Sequence, residues 1–302
     1  MSRSDVVVVG SLNMDLVVRT ARLPKAGETL TGKGFDLVPG GKGANQAVAA
    51  ARLGASTAMI GCVGDDAFGA QLRAGLEADG IDCRAVREVS GVPSGVALIE
   101  VADDGSNHIV VVPGGNGMLT PAHVEASEAL LAAAQIVVLQ LEVPLETVRF
   151  AAERAHALGK VVVLNPAPAQ PLAPELLGTV DYLVPNELEA ALLTGAPVDS
   201  PAKAEAAARR LRSLGARNVV VTLGAGGAIS VTEEGARRHP ARTVTAVDTT
   251  AAGDTFIGAL CAALVEGRAL EGAIALAQAA AAISVTRPGA QTSIPHRSEV
   301  VA

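Results

Sequence analysis

IVVLQLEVPLETVRFAAERAHALGKVVVLN (Ile136–Asn165) is the stretch that decides the fold. Two continuous apolar runs, Ile136–Gln140 and Val161–Asn165, flank Leu145–Leu158, whose apolar residues have helical spacing. Apolar runs without polar alternation, bounded by turn residues, read as strands buried on both faces. The same rhythm extends outward in both directions. Strand-like runs recur at Asp5–Gly10, Thr57–Gly61, Val180–Val184 and Asn218–Leu223. Helical patterns lie at Ala44–Leu53, Phe68–Asp79, Pro121–Ala134 and Pro201–Leu214. The C-terminal third adds Asp254–Glu266 and Leu270–Thr286, divided by Gly267. Strands alternating with helices predict an α/β fold, a mostly parallel central sheet covered by helices on both sides.

Two regions break this rhythm. Leu12–Val38 holds alternating segments at Asp15–Thr20 and Glu28–Leu37 without a helix signal. Ser94–Val112 reads as a hairpin, with Gly95–Val101 and Asn107–Val112 joined by Ala102–Ser106. Strands contributed from residues 12–38 and 94–112 predict a small, discontinuous antiparallel sheet outside the main one. Such an appendage serves as a lid over a site, as a dimerisation surface, or as both. No linker or repeat is visible, so residues 1–302 are expected to form a single domain.

Composition narrows the function. Of 302 residues, 49% are hydrophobic but only 2% aromatic, with no Trp, so a large core must be built from Ala, Val, Leu and Ile. A net charge of −7 with no evident basic face argues against nucleic-acid binding. The three cysteines, Cys62, Cys83 and Cys261, are far apart and odd in number, which argues against a disulfide framework or structural zinc. They suit a reduced, cytoplasmic setting. No apolar stretch reaches transmembrane length, so no membrane association is expected.

Two stretches carry chemistry. Gly40-Gly41-Lys42-Gly43-Ala44-Asn45-Gln46 opens a helix, and its glycines allow close approach of backbone to a ligand. Asn45 and the first-turn N–H groups would then offer donors to hydroxyls or anions. The bland alternative is an ordinary Gly-rich loop before a helix. In Asp248-Thr249-Thr250-Ala251-Ala252-Gly253-Asp254-Thr255-Phe256, small residues run into a carboxylate at the head of an apolar helix. Successive N–H groups there form a nest for a phosphoryl group, and the carboxylate can accept a hydroxyl proton. Capping alone would equally explain an Asp at that place. Other signals fail. Gly27–Lys33 has P-loop spacing, but Gly34 stands where Ser or Thr is required. Gly224-Ala225-Gly226-Gly227 is followed by a strand-like run instead of a helix, which removes a dinucleotide fingerprint.

Taken together, the two stretches resemble the signature motifs of the ribokinase (phosphofructokinase-B) family of carbohydrate kinases. Gly10–Asp15, Leu139–Glu142, Asn165–Pro168, Pro185–Glu187 and Thr222–Gly224 add to the resemblance in the same order, from about residue 5 to Pro295. The resemblance implies a ribokinase-like fold and transfer of the ATP γ-phosphoryl to O5 of D-ribose. Another pentose, deoxyribose or a nucleoside is the neighbouring alternative. It implies sugar binding by Asn13, Met14, Asp15, Gly41, Lys42, Gly43, Ala44, Asn45 and Glu142. Asp254 would be the base, and the amides of Ala251, Ala252 and Gly253 the anion hole. ATP would lie along Asn186, Glu189, Thr222, Leu223, Gly224, Ala225, Gly226, Gly227, Gly253, Asp254 and Gln278. Mg²⁺ would travel with ATP. K⁺ would sit among Asp248, Thr250, Ser284, Arg287, Gly289 and Ser293, mainly on backbone carbonyls. Ala97, Ile99 and Val111 would roof the sugar, and the lid would pair two subunits into a homodimer.

Overall fold

The computed structural model describes residues 4–301. The chain runs through β1 (Val6–Val9), β2 (Asn13–Thr20), β3 (Gly34–Gly40), α1 (Lys42–Arg52), β4 (Thr57–Gly64), α2 (Ala67–Ala78) and β5 (Asp82–Val89). It continues with β6 (Gly95–Ala102), β7 (Asn107–Val112), α3 (Pro121–Glu125), α4 (Glu128–Ala133), β8 (Ile136–Leu139), α5 (Leu145–Ala157) and β9 (Val161–Leu164). The last part holds α6 (Pro174–Leu177), β10 (Tyr182–Leu183), α7 (Glu187–Thr194), α8 (Pro201–Ser213), β11 (Asn218–Thr222), β12 (Ala228–Thr232), β13 (Gly235–His239), α9 (Ala252–Val265) and α10 (Leu270–Ser284).

Among the described residues nine strands form one sheet in the order β13-β12-β11-β10-β9-β8-β1-β4-β5, with parallel pairing except at β11–β12 and β12–β13. The valine run of β1 shows why it sits in the middle. Val6 and Val8 enter a core shared with α1, α2, α9 and α10, while Val7 and Val9 enter the core beneath α5 and α8. Alternate side chains leave a strand on opposite faces, so only an all-apolar strand can serve two cores. The order of strands reverses at β1, which has β4 on one side and β8 on the other. Loops at the carboxyl ends of such strands line a crevice where open α/β sheets bind ligands.

A second, four-stranded sheet has the order β3-β2-β6-β7 and stands apart from the first. Its β2–β6 pairing is parallel, so it is mixed and not wholly antiparallel as expected. The β6–β7 hairpin follows its predicted limits closely, whereas the Glu28–Leu37 segment pairs only from Gly34 onward.

Four other expectations change. Pro121–Ala134 is two short helices, because Ser127 adopts a non-helical ψ and its hydroxyl donates to the His123 carbonyl at 3.0 Å. Val180–Val184 pairs only at Tyr182 and Leu183. Strand β5 went unseen because its charged residues, Asp82, Arg84, Arg87 and Glu88, hide two buried anchors, Cys83 and Val86. Charge of that kind protects a sheet edge, which is where β5 lies. Helix α7 also went unseen; it begins with a capping box between Asn186 and Glu189. Among the described residues no helix is long and apolar enough to cross a membrane.

Helices α1 and α9 pack closely at Gly258. A Cβ there would stand 2.7 Å from both the Ala50 nitrogen and the Gln46 carbonyl oxygen. Gly258→Ala should therefore lower the unfolding free energy by about 1–3 kcal/mol, the usual range for overpacking. Urea unfolding at an unchanged m-value measures it, and a neutral result would show that the two helices can separate at no cost.

Candidate active site

The carboxyl ends of β1, β8, β9, β10 and β11 bring together Ser11 and Asn13, Gln140 and Glu142, Asn165, Asn186 and Thr222. Helix α1 starts against them. Gly41 has φ 89°, and a Cβ there would lie 2.7 Å from the Asn13 nitrogen, so only glycine fits. The first-turn amides of α1 are not open to a ligand, contrary to expectation. Lys42 N donates to Glu142 Oε2 at 3.0 Å, Gly43 N to Ser11 Oγ at 3.2 Å, and Ala44 N to Ser11 O at 2.9 Å. Ser11 Oγ itself donates to Glu142 Oε2 at 2.6 Å. Because Gly41 has no side chain to cap with, a remote carboxylate satisfies the positive end of the helix.

Asp254 lies in the first turn of α9 and is buried. Its Oδ2 accepts from Asn45 Nδ2 at 3.0 Å and its Oδ1 from Gln46 Nε2 at 2.9 Å. The turn before it is strained. Ala251, at φ 58°, is the one non-glycine residue of positive φ among the described residues. Its carbonyl is held twice, by Thr255 N at 2.8 Å and Thr255 Oγ1 at 2.9 Å. Of the three amides expected to form the anion hole, Ala252 N is already engaged, donating to Thr249 O at 3.2 Å, whereas the N–H groups of Ala251, Gly253 and also Asp254 have no acceptor among the described residues. These open donors border a cavity of about 200 Å³ whose other walls include Lys42, Asn165, Asn186, Glu189 and Thr222. A carboxylate beside unpaired amides can take a proton while the amides receive developing negative charge.

The charges around the cavity act on one another. Burial pushes the Asp254 carboxyl up, Lys42 and the Asn45 and Gln46 amides pull it down, and Glu142 raises it again. Asp15 on β2 is pushed up to about 7 by burial first, then by Glu142 and Asp254. Burial draws the Lys42 ammonium down, but Asp254, Glu142 and Glu189 together outweigh it and leave its pKa raised. Burial also raises Glu189, against its bond from the Asn186 backbone and the pull of Lys42.

Other predicted positions fall as follows. Asn13 is buried, and its Oδ1 accepts from Asn116 Nδ2 at 2.7 Å. The Met14 side chain lies in the hydrophobic core, so only its backbone is available to a ligand. The Ala44 side chain is buried there too. Leu223–Gly227 forms the turn from β11 to β12, with Gly224, Ala225 and Gly226 exposed. A Cβ on Gly227 would collide with the His239 carbonyl, the same oxygen to which Gln278 Nε2 donates at 2.8 Å. Gln278 is therefore tied to the end of β13, and it does not line the cavity. The loops carrying Asp248 and Gly289 are joined: Asp248 Oδ1 accepts from Thr250 N and Oγ1, and Asp248 Oδ2 accepts from Gly289 N at 2.9 Å.

Reading the sequence passed over Gln46, Gln140, Asn165, Ser11 and Asn116 as individual site residues. The sequence marks Gln46 only as a polar residue within the Ala-rich run Ala44–Arg52, and nothing local names the partners that give it a role.

Residues 3–297 match the model of the pfkB family carbohydrate kinases. The chain belongs to that family. A ribokinase of Haemophilus influenzae is 45% identical over 299 residues, covering 99% of this chain and 98% of its own. A deoxyribokinase of Salmonella typhi is 43% identical over 292 residues, covering 96% and 95%. Among solved structures, Arabidopsis thaliana ribokinase complexed with ribose and ATP has a TM-score of 0.93 at 35% identity, covering 98% of this chain and 97% of that one. This pfkB carbohydrate kinase is thus an ATP-dependent sugar kinase.

The raised Asp15 sets the sign of one pH effect. Between its unfolded pKa of 3.8 and its folded value of about 7, the native state binds the proton more tightly, so stability falls as pH rises through that window. Asp15→Asn should flatten that fall. Thermal unfolding of both proteins at pH 5 and pH 8 measures it, and parallel losses in the two would show that Asp15 titrates normally.

Proposed function

We propose that this kinase transfers the γ-phosphoryl of ATP to O5 of D-ribose, giving D-ribose 5-phosphate and ADP, with Asp254 as general base. The observation that carries the reading is the pairing of the Asp254 carboxylate with the open amides of Gly253 and Asp254 on one cavity wall. The ribokinases similar to this chain over nearly its whole length, one of them complexed with ribose and ATP, support the choice of substrates. Asp254 accepts the hydroxyl proton as the O5–P bond forms and the bond from phosphorus to the β-phosphate oxygen breaks. Little covalent work falls to the protein in such a transfer, so positioning and charge neutralisation dominate.

The sugar is held by Asn13, Asp15, Lys42, Asn45 and Glu142, with backbone of Met14, Gly41, Gly43 and Ala44 beside it. The buried Asn45 Oδ1, which lacks a hydrogen-bond donor, is a ready acceptor for one sugar hydroxyl. ATP extends along Asn186, Glu189, Thr222 and the Leu223–Gly227 turn, with Gln278 behind it. Mg²⁺ would travel with ATP, held mostly by phosphate and water oxygens, and would supply neutralisation of the phosphate charge.

K⁺ would sit at the joined loops, held by Asp248 and the carbonyls of Thr250, Ser284, Arg287, Gly289 and Ser293, an all-oxygen set without a thiol or imidazole. Arg287 contributes only backbone, because its guanidinium is paired with Glu299. A bound cation there would steady the loop that leads into Ala251.

The four-stranded sheet is proposed as a lid over the sugar, roofed by Ala97, Ile99 and Val111, and as the contact of a homodimer. Exposed Phe35, Leu37, Leu98 and Val110 support the second role. Three buried, unpaired thiols suit a cytoplasmic location.

The deoxyribokinase likeness favours one second reading, a kinase of deoxyribose. An ADP-release assay over a panel of pentoses and nucleosides separates the two, and ribose should give the highest kcat/KM. Asp254→Asn should lower kcat by about 100-fold or more while ribose still binds, as loss of a general base does. Turnover within a few-fold of the parent would remove Asp254 from the role. Turnover in sodium-only buffer should fall below that in potassium, and equal rates would discard the cation site.

A further inference from the structure

We propose that Gln46 is a positioning residue of the base: backed by Gln140 and Asn165, it holds the Asp254 carboxylate in place and presents it with hydrogen-bond donors only. The inference rests on Asp254 being the base.

The polarity of the network follows from its two ends. The Val184 carbonyl can only accept, so Asn165 turns Nδ2 to it at 3.1 Å and its Oδ1 toward Gln46. The ionised Asp254 carboxylate also only accepts. Gln46 Nε2 has two hydrogens and serves both, donating to Asn165 Oδ1 at 3.2 Å and Asp254 Oδ1 at 2.9 Å. Its Oε1 is left to accept from Gln140 Nε2 at 2.7 Å. Gln140 Oε1 is thereby turned to Gly10, where a Cβ would occupy the same space. There it is buried without a partner. Rotating the Gln140 amide would only oppose two oxygens. An unpartnered buried oxygen is destabilising, so the arrangement is not one that stability alone selects.

The second orphan oxygen, Asn45 Oδ1, arises in the same way, because Asn45 Nδ2 is turned to Asp254 Oδ2. Every amide facing the carboxylate therefore shows it N–H, and a protonated Asp254 has no acceptor among them. The charged groups facing it are Lys42 from α1, Glu142 from the end of β8, Asp15 from β2 and Glu189 from α7. Lys42 favours the ionised form, while the three carboxylates and burial favour the proton. Among the described residues, the uncharged side chains that donate to the carboxylate and oppose protonation are these two amides.

Gln46→Met keeps the length of the side chain and removes both donors; Gln140→Met removes the support of Gln46 Oε1 together with the orphan oxygen. For Gln46→Met, kcat should fall by about 10- to 100-fold with the sugar KM within about twofold, a range usual for disturbed general-base catalysis. The acid limb of the kcat–pH profile should move to higher pH, because the ionised form has lost a donor. Gln140→Met should move it in the same direction by less. A purely structural role would alter melting temperature or KM and leave the limb in place. An unmoved limb in both variants, beside a collapsed Asp254→Asn, would overturn the inference alone. An Asp254→Asn enzyme of near-parental turnover would overturn the base reading and this inference with it. Should Gln46→Met fail to fold, the limb of Gln140→Met decides.

Discussion

Two helix starts meet at the cavity, and most of what the molecule can do depends on how close they come. Gly258 lets α1 lie against α9, and the first turns of both helices then face each other. Across that junction Asn45 and Gln46 reach a carboxylate more than 200 positions away in sequence. The helix starts are anchored separately. Helix α1 is capped from afar by Glu142 and Ser11, whereas α9 starts at the strained Ala251 turn with the amides of Gly253 and Asp254 left open. Had the Gly41 position carried an ordinary capping side chain, Glu142 would not be drawn onto Lys42 N, and the floor of the cavity would have a different shape.

The departures from ordinary folding rules cluster here. A non-glycine residue of positive φ, two open helix amides, two orphan amide oxygens and three further carboxylates gather around Asp254. Elsewhere the chain is conventional: valine strands buried on both faces, Ala-rich helices over them, and charge on the edge strand. A protein that violates local rules in one place and follows them elsewhere is using the exceptions for chemistry.

This division also explains what could be read beforehand. The valine and leucine runs announced the sheet, because a strand buried on both faces has no polar positions to confuse the pattern. Asp254 and the glycines before α1 stood out for their residue types and their place before helices. The status of the α1 amides did not, since nothing local says that Glu142, 100 residues further on, takes the Lys42 N–H. Gln46 was hidden for a similar reason: its meaning lies in Gln140 and Asn165, each on a different strand end. The break at Ser127 and the edge strand β5 were lost to short-range effects, a hydroxyl bonding back to its own helix and charges masking two buried anchors.

The electrostatics of the base are a balance between opposed terms of different origin. Burial and neighbouring carboxylates push Asp254 toward its protonated form, and Lys42 with the two amides pushes it back. A base pulled far down would have little drive to accept a hydroxyl proton; one pushed far up would already hold a proton at working pH. Charge alone cannot hold that balance through a catalytic cycle, because Lys42 also faces Glu142 and Glu189 and a phosphate entering the cavity would compete for it. Amides on packed elements carry no net charge to be diverted. Their donors keep facing the carboxylate whichever ions enter, so the part of the balance that depends on geometry is the part that does not change when substrates bind.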